Sequence, residues 1–488
     1  MKVMKFGGGC LREAKDFLRA AKIIRAETVT PPPAEAGGVV PKFAPSIHPR
    51  PEGRGVPANF ATPAVVLSAV HGATDILQDC LRMVGCDEVQ TGIVVRRIKE
   101  THERIANEAI RSKETRNATV RALDAKFQKL ERLLFGVSYT EEVTDRTKAL
   151  IVSFGERLAV ILMQGVLEDQ GTQAKALEAD AIGIITDASF ENATADLPAV
   201  KRNLKRSLLP LLRKGVVPVI TGYFGCTPEG KITTFGRNGS DYSAAVVAYG
   251  LGADRLEIWK DVEGFMTADP KFVPGAKQVD RLSYYEAAEL SYFGARILHP
   301  RTVEPLIDAD IPIHIRSVED PAAEGTIIHR AGAEREDVIR SVTCNRDIAV
   351  LKIHGAGVGH KPGIIGELGK RLSESGINIY SVITSQTCIN LLLHKNDAAR
   401  GLQELGKLSG GVIEKVDVLD SMSLIAVVGE GLLKTKGLAA KVFTAVAREK
   451  VNVEMISAGA SDVAYYFIVD RKDLEKAINA VHSEFYGK

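Results

Sequence analysis

From the N-terminus to about residue 330, segments with the apolar pattern of strands alternate with segments that have the apolar pattern of helices. Runs typical of strands occur at 2–7, 64–70, 216–225 and 255–264, and those at 64–70 and 216–225 are mostly apolar. Segments with apolar residues at helical spacing lie between these runs, and "REAKDFLRAAKIIRA" after the first run is a clear example. Strands that alternate with helices predict an α/β fold, with one sheet covered by helices on both faces.

Two segments interrupt this alternation. Nine of the chain's twenty prolines fall in residues 29–63, which have few large apolar side chains, so we predict a long mobile loop there. Residues 96–135 are charged and helical in pattern, which predicts a helical subdomain or a lid. A further helix is predicted to begin near Phe154.

The last third of the chain contains an internal repeat. The segments that start at Gly363 and Gly437 align without a gap at an offset of 74 residues, with Asn378 over Asn452. Each copy has the pattern strand, glycine turn, helix, strand. A repeat present only twice predicts a duplicated α+β module that binds a small molecule or forms a dimer. A purely structural dimerisation role is the alternative.

Charge and cysteine content exclude several classes of protein. The 63 basic and 61 acidic residues leave a net charge of +2, which gives no electrostatic footprint for nucleic acid. We find no apolar run near the roughly 18 residues of a membrane span and no signal-peptide pattern, so we expect no membrane association. The six cysteines are scattered, which argues against a zinc site or disulfides and favours the cytoplasm.

Three glycine turns follow predicted strands, at residues 5–9, 68–75 and 234–241. Loops at the carboxyl ends of strands in an open α/β sheet converge on one crevice. Convergence would bring together Lys5, Ser68, Thr74, Arg237 and Asp241. Bare backbone N–H groups beside a lysine and an arginine suit a transferring phosphoryl group. Neither a Walker A pattern nor G-x-G-x-x-G is present, so the predicted phosphate site depends on these turns.

The order of motifs gives a specific resemblance. "KFGGG", "VVLSAVHGATDIL", "SFGERL", "TTFGRNGSDYSAA" and the stretch from Glu257 to Leu306 resemble aspartate kinase, of the amino-acid kinase superfamily. The duplicated tail resembles the paired ACT domains of that family. The resemblance implies an amino-acid-kinase sheet sandwiched by helices at 1–335, then ferredoxin-like ACT domains at 341–417 and 418–488.

The implied reaction moves the γ-phosphoryl group of ATP onto the β-carboxylate of L-aspartate, the first step towards lysine, threonine and methionine. A carboxyl group with a pKa of about 3.9 is already ionised at neutral pH, so no general base is required. By resemblance, Lys5 offsets charge on the phosphoryl oxygens and Asp241 orients Lys5 through an ion pair. Arg237 clamps the substrate α-carboxylate, and Glu156 meets the α-ammonium.

Further contacts are implied for the substrate and the nucleotide. Ser68 and Thr74 would hydrogen-bond substrate or phosphate, although a strand-end hydroxyl and an ordinary N-cap are the alternatives. Glu156 could likewise only stabilise the start of its helix. Nucleotide contacts are implied for Gly7, Gly8, Gly9, Lys260, Asp261, Met266, Lys271 and Arg296. Magnesium would bridge the ATP phosphates, mostly through water and phosphate oxygens, with no protein-built metal site.

Two departures from the family pattern leave the acceptor open. Gly9 and Cys10 replace the usual Thr-Ser pair, and Asn238 replaces a glycine, where its tolerance of left-handed angles makes the change mild. We predict Ser240 or Asp241 as the N-cap of the following helix. A related kinase for another amino-acid carboxylate, or a catalytically weak amino-acid sensor, therefore remain alternatives to an aspartate kinase.

The paired modules predict regulation by an end-product amino acid and assembly into a homodimer or larger oligomer. Lysine and threonine are both open as effectors, as is no effector at all. The effector pocket is predicted at Val358, Gly363, Ile364, Ile365, Asn378, Ile379, Ser385 and Gln386.

Overall fold

The structure is a computed structural model, and it describes residues 1–28, 62–82, 88–236, 238–295, 297–330, 338–408 and 410–487. Residues 29–61 of the predicted loop, and the predicted site residues Arg237 and Arg296, lie outside this part of the chain.

The strands and helices are numbered in chain order. The strands are β1 (Lys2–Phe6), β2 (Ala64–Leu67), β3 (Ala174–Leu177), β4 (Val217–Thr221), β5 (Phe224–Cys226), β6 (Ile232–Thr234), β7 (Arg255–Lys260), β8 (Arg281–Ser283), β9 (Ile313–Ser317), β10 (Thr326–His329), β11 (Ser341–Asn345), β12 (Ile348–His354), β13 (Ile379–Thr384), β14 (Cys388–His394), β15 (Lys415–Leu419), β16 (Met422–Val428), β17 (Met455–Ser457) and β18 (Ala464–Asp470). The α-helices are α1 (Ala14–Ala26), α2 (Ala73–Arg82), α3 (Glu88–Ala109), α4 (Lys113–Thr140), α5 (Asp145–Val152), α6 (Phe154–Asp169), α7 (Leu197–Arg213), α8 (Gly239–Leu251), α9 (Tyr284–Tyr292), α10 (Glu304–Ile307), α11 (Ile364–Glu374), α12 (Ala398–Gly406), α13 (Leu438–Arg448) and α14 (Leu474–Tyr486). Short 3-10 turns occur at Gly8–Cys10, Pro300–Val303, Lys395–Asp397 and Arg471–Asp473.

The chain divides into two compact units. The first contains Met1–Gly264 and Arg301–Arg330, and the second contains Phe265–Pro300 and Ala331–Lys488. The first unit is built on a sheet with the strand order β3-β4-β2-β1-β7-β9-β10, in which β10 alone among these strands is antiparallel to its neighbour. The α/β fold predicted from the sequence is confirmed.

The apolar runs of β2 and β4 are buried at every position because helices cover both faces of the sheet. The strands β1, β2, β4 and β7 are parallel, so their carboxyl ends lie along one edge. All three glycine turns predicted from the sequence follow strands of this unit. Two of them follow β1 and β2 at the carboxyl edge of the sheet, whereas the third follows β6, which pairs with β5 in a separate two-stranded sheet.

The charged segment predicted at 96–135 forms α3 and α4, which extend beyond both predicted ends. Leu123, Phe127, Leu130 and Leu134 of α4 recur at helical spacing and are buried in the same apolar core as α6. Because this face belongs to the main core, the segment is a structural part of the first unit and not a lid.

Residues Asp145–Asp169 are long and apolar enough, by length and composition, to cross a membrane. This corrects the expectation that the sequence has no such run. The window is 83% buried inside the structure, as in the core helix of a folded domain.

The second unit contains two four-stranded antiparallel sheets, with the orders β11-β16-β18-β17 and β13-β14-β12-β15. The predicted division at 417/418 does not separate these sheets, since β11 pairs with β16 along Ser341 to Asn345 and so joins the sheet of the second repeat. Local pattern predicts a strand at this position but cannot specify which sheet it joins.

The segment Phe265–Pro300, predicted as part of the kinase domain, packs with the C-terminal modules through α9. The buried Glu286 accepts a hydrogen bond from the Glu430 backbone N–H at 2.7 Å. At the other end of α9, the Tyr292 hydroxyl donates to the Tyr380 carbonyl oxygen at 3.0 Å. These contacts tie one short helix to both sheets of the second unit. The domain boundaries given by the sequence stay a prediction.

Candidate active site

Three charged side chains lie at the carboxyl edge of the sheet, of which Lys5 and Asp241 are buried and Lys260 is partly buried. The Lys5 Nζ on β1 is 2.6 Å from Asp241 Oδ1, and the Lys260 Nζ at the end of β7 is 3.1 Å from Asp241 Oδ2. The side chain of Asp241 is 1% exposed. The structure thus contains the Lys5–Asp241 ion pair expected from the sequence, and it adds Lys260, which the sequence suggested only as a nucleotide contact.

The pKa values of these groups reflect burial and mutual charge. Burial lowers the pKa of Lys5, although the Asp241 carboxylate opposes this shift. Burial by itself would raise the pKa of Asp241, but the charges of Lys260 and Lys5 outweigh it and lower that pKa well below its usual range. Two ammonium groups and one carboxylate leave a local excess of positive charge, which favours an anion beside them.

The turn before Asp241 differs from the expected one. The helix α8 begins at Gly239, and its N-cap is Asn238 with a left-handed φ of 59°. Ser240 and Asp241 therefore lie in the first helical turn, and the prediction that one of them is the N-cap is wrong. Asparagine tolerates this backbone conformation because its short polar side chain can hydrogen-bond locally.

The turn Gly7–Gly9 is closely packed on all three glycines. A Cβ at Gly7 would lie 3.3 Å from the Lys5 Nζ, one at Gly8 would lie 3.3 Å from the Ala69 carbonyl oxygen, and one at Gly9 would lie 2.8 Å from Asp261 Oδ2. The first glycine turn therefore contacts the second, which contains Ala69. Because Lys5 also pairs with Asp241 of the third, the described parts of the three turns converge.

The two residues that depart from the family pattern occupy distinct environments. Gly9 lies against the Asp261 carboxylate, which is about half exposed. The same carboxylate pairs with Arg12 Nη2 at 2.9 Å. Cys10 is buried, and its thiol donates to the Trp259 carbonyl oxygen at 3.5 Å. Burial raises the pKa of Cys10 to about 11, so the thiol is neutral at physiological pH.

Glu156 lies in the first turn of α6 and is 3% exposed. One carboxylate oxygen accepts a hydrogen bond from the Ala69 backbone N–H at 3.1 Å, whereas Oε2 has no hydrogen-bond partner within the described residues. Burial raises the pKa of Glu156 to about 8. A buried carboxylate with one free oxygen is suited to receive an ammonium group from a ligand.

Gly155 explains how α6 approaches this position. A Cβ there would lie 2.7 Å from the Ala69 Cβ and 3.2 Å from Thr74 Oγ1. Thr74 is the second residue of α2, so it is not the N-cap, and Ser68 is half-buried with its backbone N–H bonded to the Phe6 carbonyl oxygen at 3.1 Å. The two predicted hydroxyl residues thus lie in the same turn as Ala69.

The remaining predicted nucleotide residues belong to the second unit. The Met266 carbonyl oxygen accepts a hydrogen bond from the Ser341 hydroxyl at 2.8 Å. Lys271 is exposed in a turn where its backbone N–H bonds Asp269 Oδ1 at 2.9 Å. Among the described residues, no group of three His, Cys, Asp or Glu side chains is placed to hold a metal ion.

A cavity of about 230 Å³ in the first unit was not predicted from the sequence. It is lined by Gln78, Lys148, Ala149, Val152, Glu191, Tyr223, Thr234 and Gly236. Tyr223 has a φ of 72°, a conformation that is strained for a bulky residue and that tends to occur at functional sites. Its position directly after Gly222, beyond a buried strand, was the only signal in the sequence.

Comparison with known proteins agrees with this geometry. Residues 64–317 match the model of the amino acid kinase family, and residues 425–485 match an ACT domain model. The chain is 34% identical to Aspartokinase 2, chloroplastic, from Arabidopsis thaliana, over 87% of this chain and 78% of that protein. Aspartokinase 3, chloroplastic, from the same plant is 30% identical, over 99% of this chain and 81% of that protein.

The chain belongs to the aspartokinase family. The crystal structure of Escherichia coli aspartokinase III in complex with aspartate and ADP superposes with a TM-score of 0.81 at 27% identity, and each chain is covered completely. The T-state of the same enzyme with lysine and aspartate gives a TM-score of 0.78 at 26% identity, over 100% of this chain and 99% of that one. The family, fold class and kinase class predicted from the sequence are confirmed.

The predicted effector residues of this aspartokinase-family chain lie around one end of the first repeat. The Gly359 N–H donates to the Gln386 carbonyl oxygen at 3.2 Å, so the loop that contains the buried Val358 packs against the turn with the exposed Ser385 and Gln386. Gly363 is the N-cap of α11, with a φ of 88°. Ile364 and Ile365 begin α11, and Asn378 and Ile379 lie at the start of β13.

The ion cluster gives a test of stability. We expect Asp241→Asn to lower the free energy of unfolding by about 3–5 kcal/mol, because it leaves the buried Lys5 ammonium and the partly buried Lys260 ammonium uncompensated. Asp261→Asn breaks the exposed pair with Arg12 and should change it by less than about 1 kcal/mol. Urea unfolding at pH 7 measures both, and equal losses in the two variants would contradict the asymmetry.

Proposed function

We propose that this chain phosphorylates the β-carboxylate of L-aspartate with ATP, giving ADP and 4-phospho-L-aspartate for lysine, threonine and methionine synthesis. A carboxylate oxygen attacks the γ-phosphorus, and the bond from that phosphorus to the β–γ bridging oxygen breaks. The Lys5–Asp241–Lys260 cluster carries this proposal, in a chain that shares its fold with an enzyme solved with aspartate and ADP.

The cluster accounts for phosphoryl transfer by charge. Lys5 and Lys260 outnumber Asp241, so the excess positive charge offsets the charge on the phosphoryl oxygens during transfer. Asp241 holds both ammonium groups in place before substrates bind, so little reorganisation accompanies the reaction. Since the acceptor carboxylate is already ionised, the site needs to position reactants rather than remove a proton.

The acceptor is held through its amino-acid groups. Glu156 Oε2, which accepts no hydrogen bond from the described residues, binds the α-ammonium. Arg237 binds the α-carboxylate in a bidentate contact. Ser68 and Thr74 hydrogen-bond the acceptor or the phosphate from the turn that contains Ala69. A zwitterion is thereby distinguished from a simple dicarboxylic acid, which has no ammonium for Glu156.

The nucleotide is held at the glycine turn and in the segment after β7. Gly7, Gly8 and Gly9 present backbone to the phosphates, while Lys260, Asp261, Met266, Lys271 and Arg296 complete the nucleotide contacts. Magnesium, when bound with ATP, neutralises phosphate charge. The described residues fit an ion that arrives with the nucleotide, because the half-exposed Asp261 is a single carboxylate and not a complete ligand set.

Formation of ADP with L-aspartate, and capture of the acyl phosphate by hydroxylamine, tests the function. We expect both signals with L-aspartate, and we expect Lys5→Met to lower kcat by about 10²–10³-fold with a small change in nucleotide affinity, because a preorganised charge is lost. Lys99→Met, in an ion pair with Asp124 on the outer helices, is the control.

The same assay separates the alternatives. Turnover with another acidic amino acid but not with L-aspartate would favour a related kinase, which the Gly9–Cys10 departure motivates. Binding of an amino acid without turnover on any acceptor would favour a sensor.

The pH profile tests Glu156. Its raised pKa of about 8 means that the free enzyme holds the carboxyl group protonated below that pH, so kcat/KM for aspartate should rise as pH increases through 8. In Glu156→Gln this rise should disappear, and kcat/KM for aspartate should fall by about 10²-fold or more because a charged contact is lost. An unchanged titration in the variant would assign the group elsewhere.

Regulation follows from the paired ACT modules. An end-product amino acid, lysine or threonine, binds beside Val358, Ser385 and Gln386, and the modules join protomers into a dimer or larger oligomer. The hydrogen bond from the Tyr292 hydroxyl to the Tyr380 carbonyl oxygen links β13 to α9 and supports coupling between the effector site and that helix. E. coli aspartokinase III was solved with lysine. The scattered free cysteines support a cytoplasmic location.

Effector titration tests this coupling. We expect lysine or threonine to inhibit, and Tyr292→Phe to raise the half-inhibiting concentration by about 5-fold, within the usual range of coupling energies, with uninhibited kcat unchanged. Tyr285→Phe on the same helix, where the residue is 62% exposed, is the matched control. No response to either amino acid, alone or together, would end the regulatory proposal.

A further inference from the structure

The loop Phe190–Thr194 contributes Glu191 to the wall of the cavity of about 230 Å³. Glu191 lines the cavity together with Gly236 and Tyr223. Gly236 has a φ of 80°, and a Cβ there would lie 3.3 Å from the Glu191 carbonyl oxygen and 3.4 Å from Asn192 Oδ1. The glycine turn that leads into Arg237 therefore rests on this loop.

The loop is tied to β6 by two backbone hydrogen bonds. Ala193 N–H donates to the Thr234 carbonyl oxygen at 2.9 Å, and Thr234 N–H donates to the Phe190 carbonyl oxygen at 2.8 Å. Thr234 itself lines the cavity. A shift of the loop would thus move two walls of the cavity together.

Two cationic side chains, those of Lys148 and Arg301, bind the loop. Lys148 on α5 pairs with Glu191. Arg301 donates through Nη1 to Asn192 Oδ1 and to the Ala193 carbonyl oxygen, both at 3.2 Å. Its Nη2 donates to Thr194 Oγ1 at 3.0 Å. One guanidinium therefore fixes three successive residues of the loop.

Arg301 also connects this loop to the helix that carries Asp241. Its guanidinium carbon lies 4.6 Å from the centre of the Tyr242 ring, and the Tyr242 hydroxyl lies 3.3 Å from the Ala195 backbone N–H that donates to it. A planar guanidinium can stack and donate in several directions at once, which an ammonium cannot. The side chain bridges α8 and the cavity wall without lining the cavity itself.

We infer that Arg301 is a positioning residue for the acceptor amino acid, acting through the loop on the cavity wall that Glu191 and Gly236 form. This inference rests on the proposed function and adds a residue to which no role is otherwise assigned. By fixing Asn192 to Thr194, Arg301 holds the wall and the glycine turn in the shape that accepts a small amino acid with two carboxylates. It acts through the loop, so its loss affects acceptor binding more than phosphoryl transfer.

Steady-state kinetics with L-aspartate and ATP test this inference. Arg301→Ala is expected to raise KM for aspartate by about tenfold, while KM for ATP and kcat change by less than about threefold. Arg301→Lys is expected to recover only part of the loss, since an ammonium cannot make all three contacts. Arg330→Ala removes an exposed arginine that bonds the Ile307 carbonyl oxygen and serves as the control.

Asn192→Ala gives a second, milder test that keeps Arg301 in place. It should raise KM for aspartate in the same direction, and the double variant should show less than the sum of the two effects, because both changes remove one shared contact. Thermal unfolding of each variant reports folding separately, so the Lys and Asn192 variants decide the matter if Arg301→Ala does not fold.

The outcomes separate the two proposals. An unmodified chain that does not phosphorylate aspartate overturns the proposed function, and with it this inference. An active parent whose folded Arg301 and Asn192 variants keep its KM for aspartate overturns the inference alone. Equal rises in both KM values, in step with a lower Tm, would show a merely structural role and would also overturn it.

Discussion

The candidate site depends on one buried and one partly buried ammonium group that share a single buried carboxylate. Removing charges from water is strongly unfavourable, and Asp241 compensates only part of the charge of Lys5 and Lys260. The arrangement is tolerable because β1 and β7 are neighbouring parallel strands and the first turn of α8 delivers Asp241 between their ends. A site with this excess charge is completed by an anion, so the fold prepares it for a phosphoryl group.

The part of the site proposed to bind the acceptor lacks a cation rather than an anion. Glu156 has one carboxylate oxygen that no described residue satisfies, and its pKa is raised because burial outweighs the opposing hydrogen bonds and the charges of Lys5 and Arg157. Glycines at positions 7–9 and 155 allow the backbone elements to approach until these unlike deficits lie in one region. A nucleotide phosphate and a zwitterionic amino acid would satisfy both at once. Neither substrate does so alone.

The sequence predicts those features that local pattern determines. Parallel strands buried on both faces give continuous apolar runs, so the α/β sheet and the edge with the glycine turns were predictable. The resemblance supplied the Lys5–Asp241 pair. It could not supply the partner role of Lys260, which depends on the β1–β7 register, or the N-cap role of Asn238, which moves the start of α8. The pairing of β11 with β16 is non-local, and two equally apolar sheets leave the choice open to local pattern. The role of Arg301 was not predictable for the same reason, since the loop residues that it contacts lie more than 100 residues away in the chain.

The stretch from Glu257 to Leu306 that carries the family resemblance serves both units. Its first residues end β7, where Lys260 pairs with Asp241, whereas Phe265 begins the segment that α9 attaches to the C-terminal modules. Only a short covalent connection separates these points. Lys260 is the last residue of β7, so a displacement of the following segment reaches this lysine directly. Lys5 lies inside β1 and has no such direct connection to the segment. If the proposed effector displaces α9, this covalent connection carries the movement to Lys260, and the charge around Asp241 is then the quantity that regulation would change.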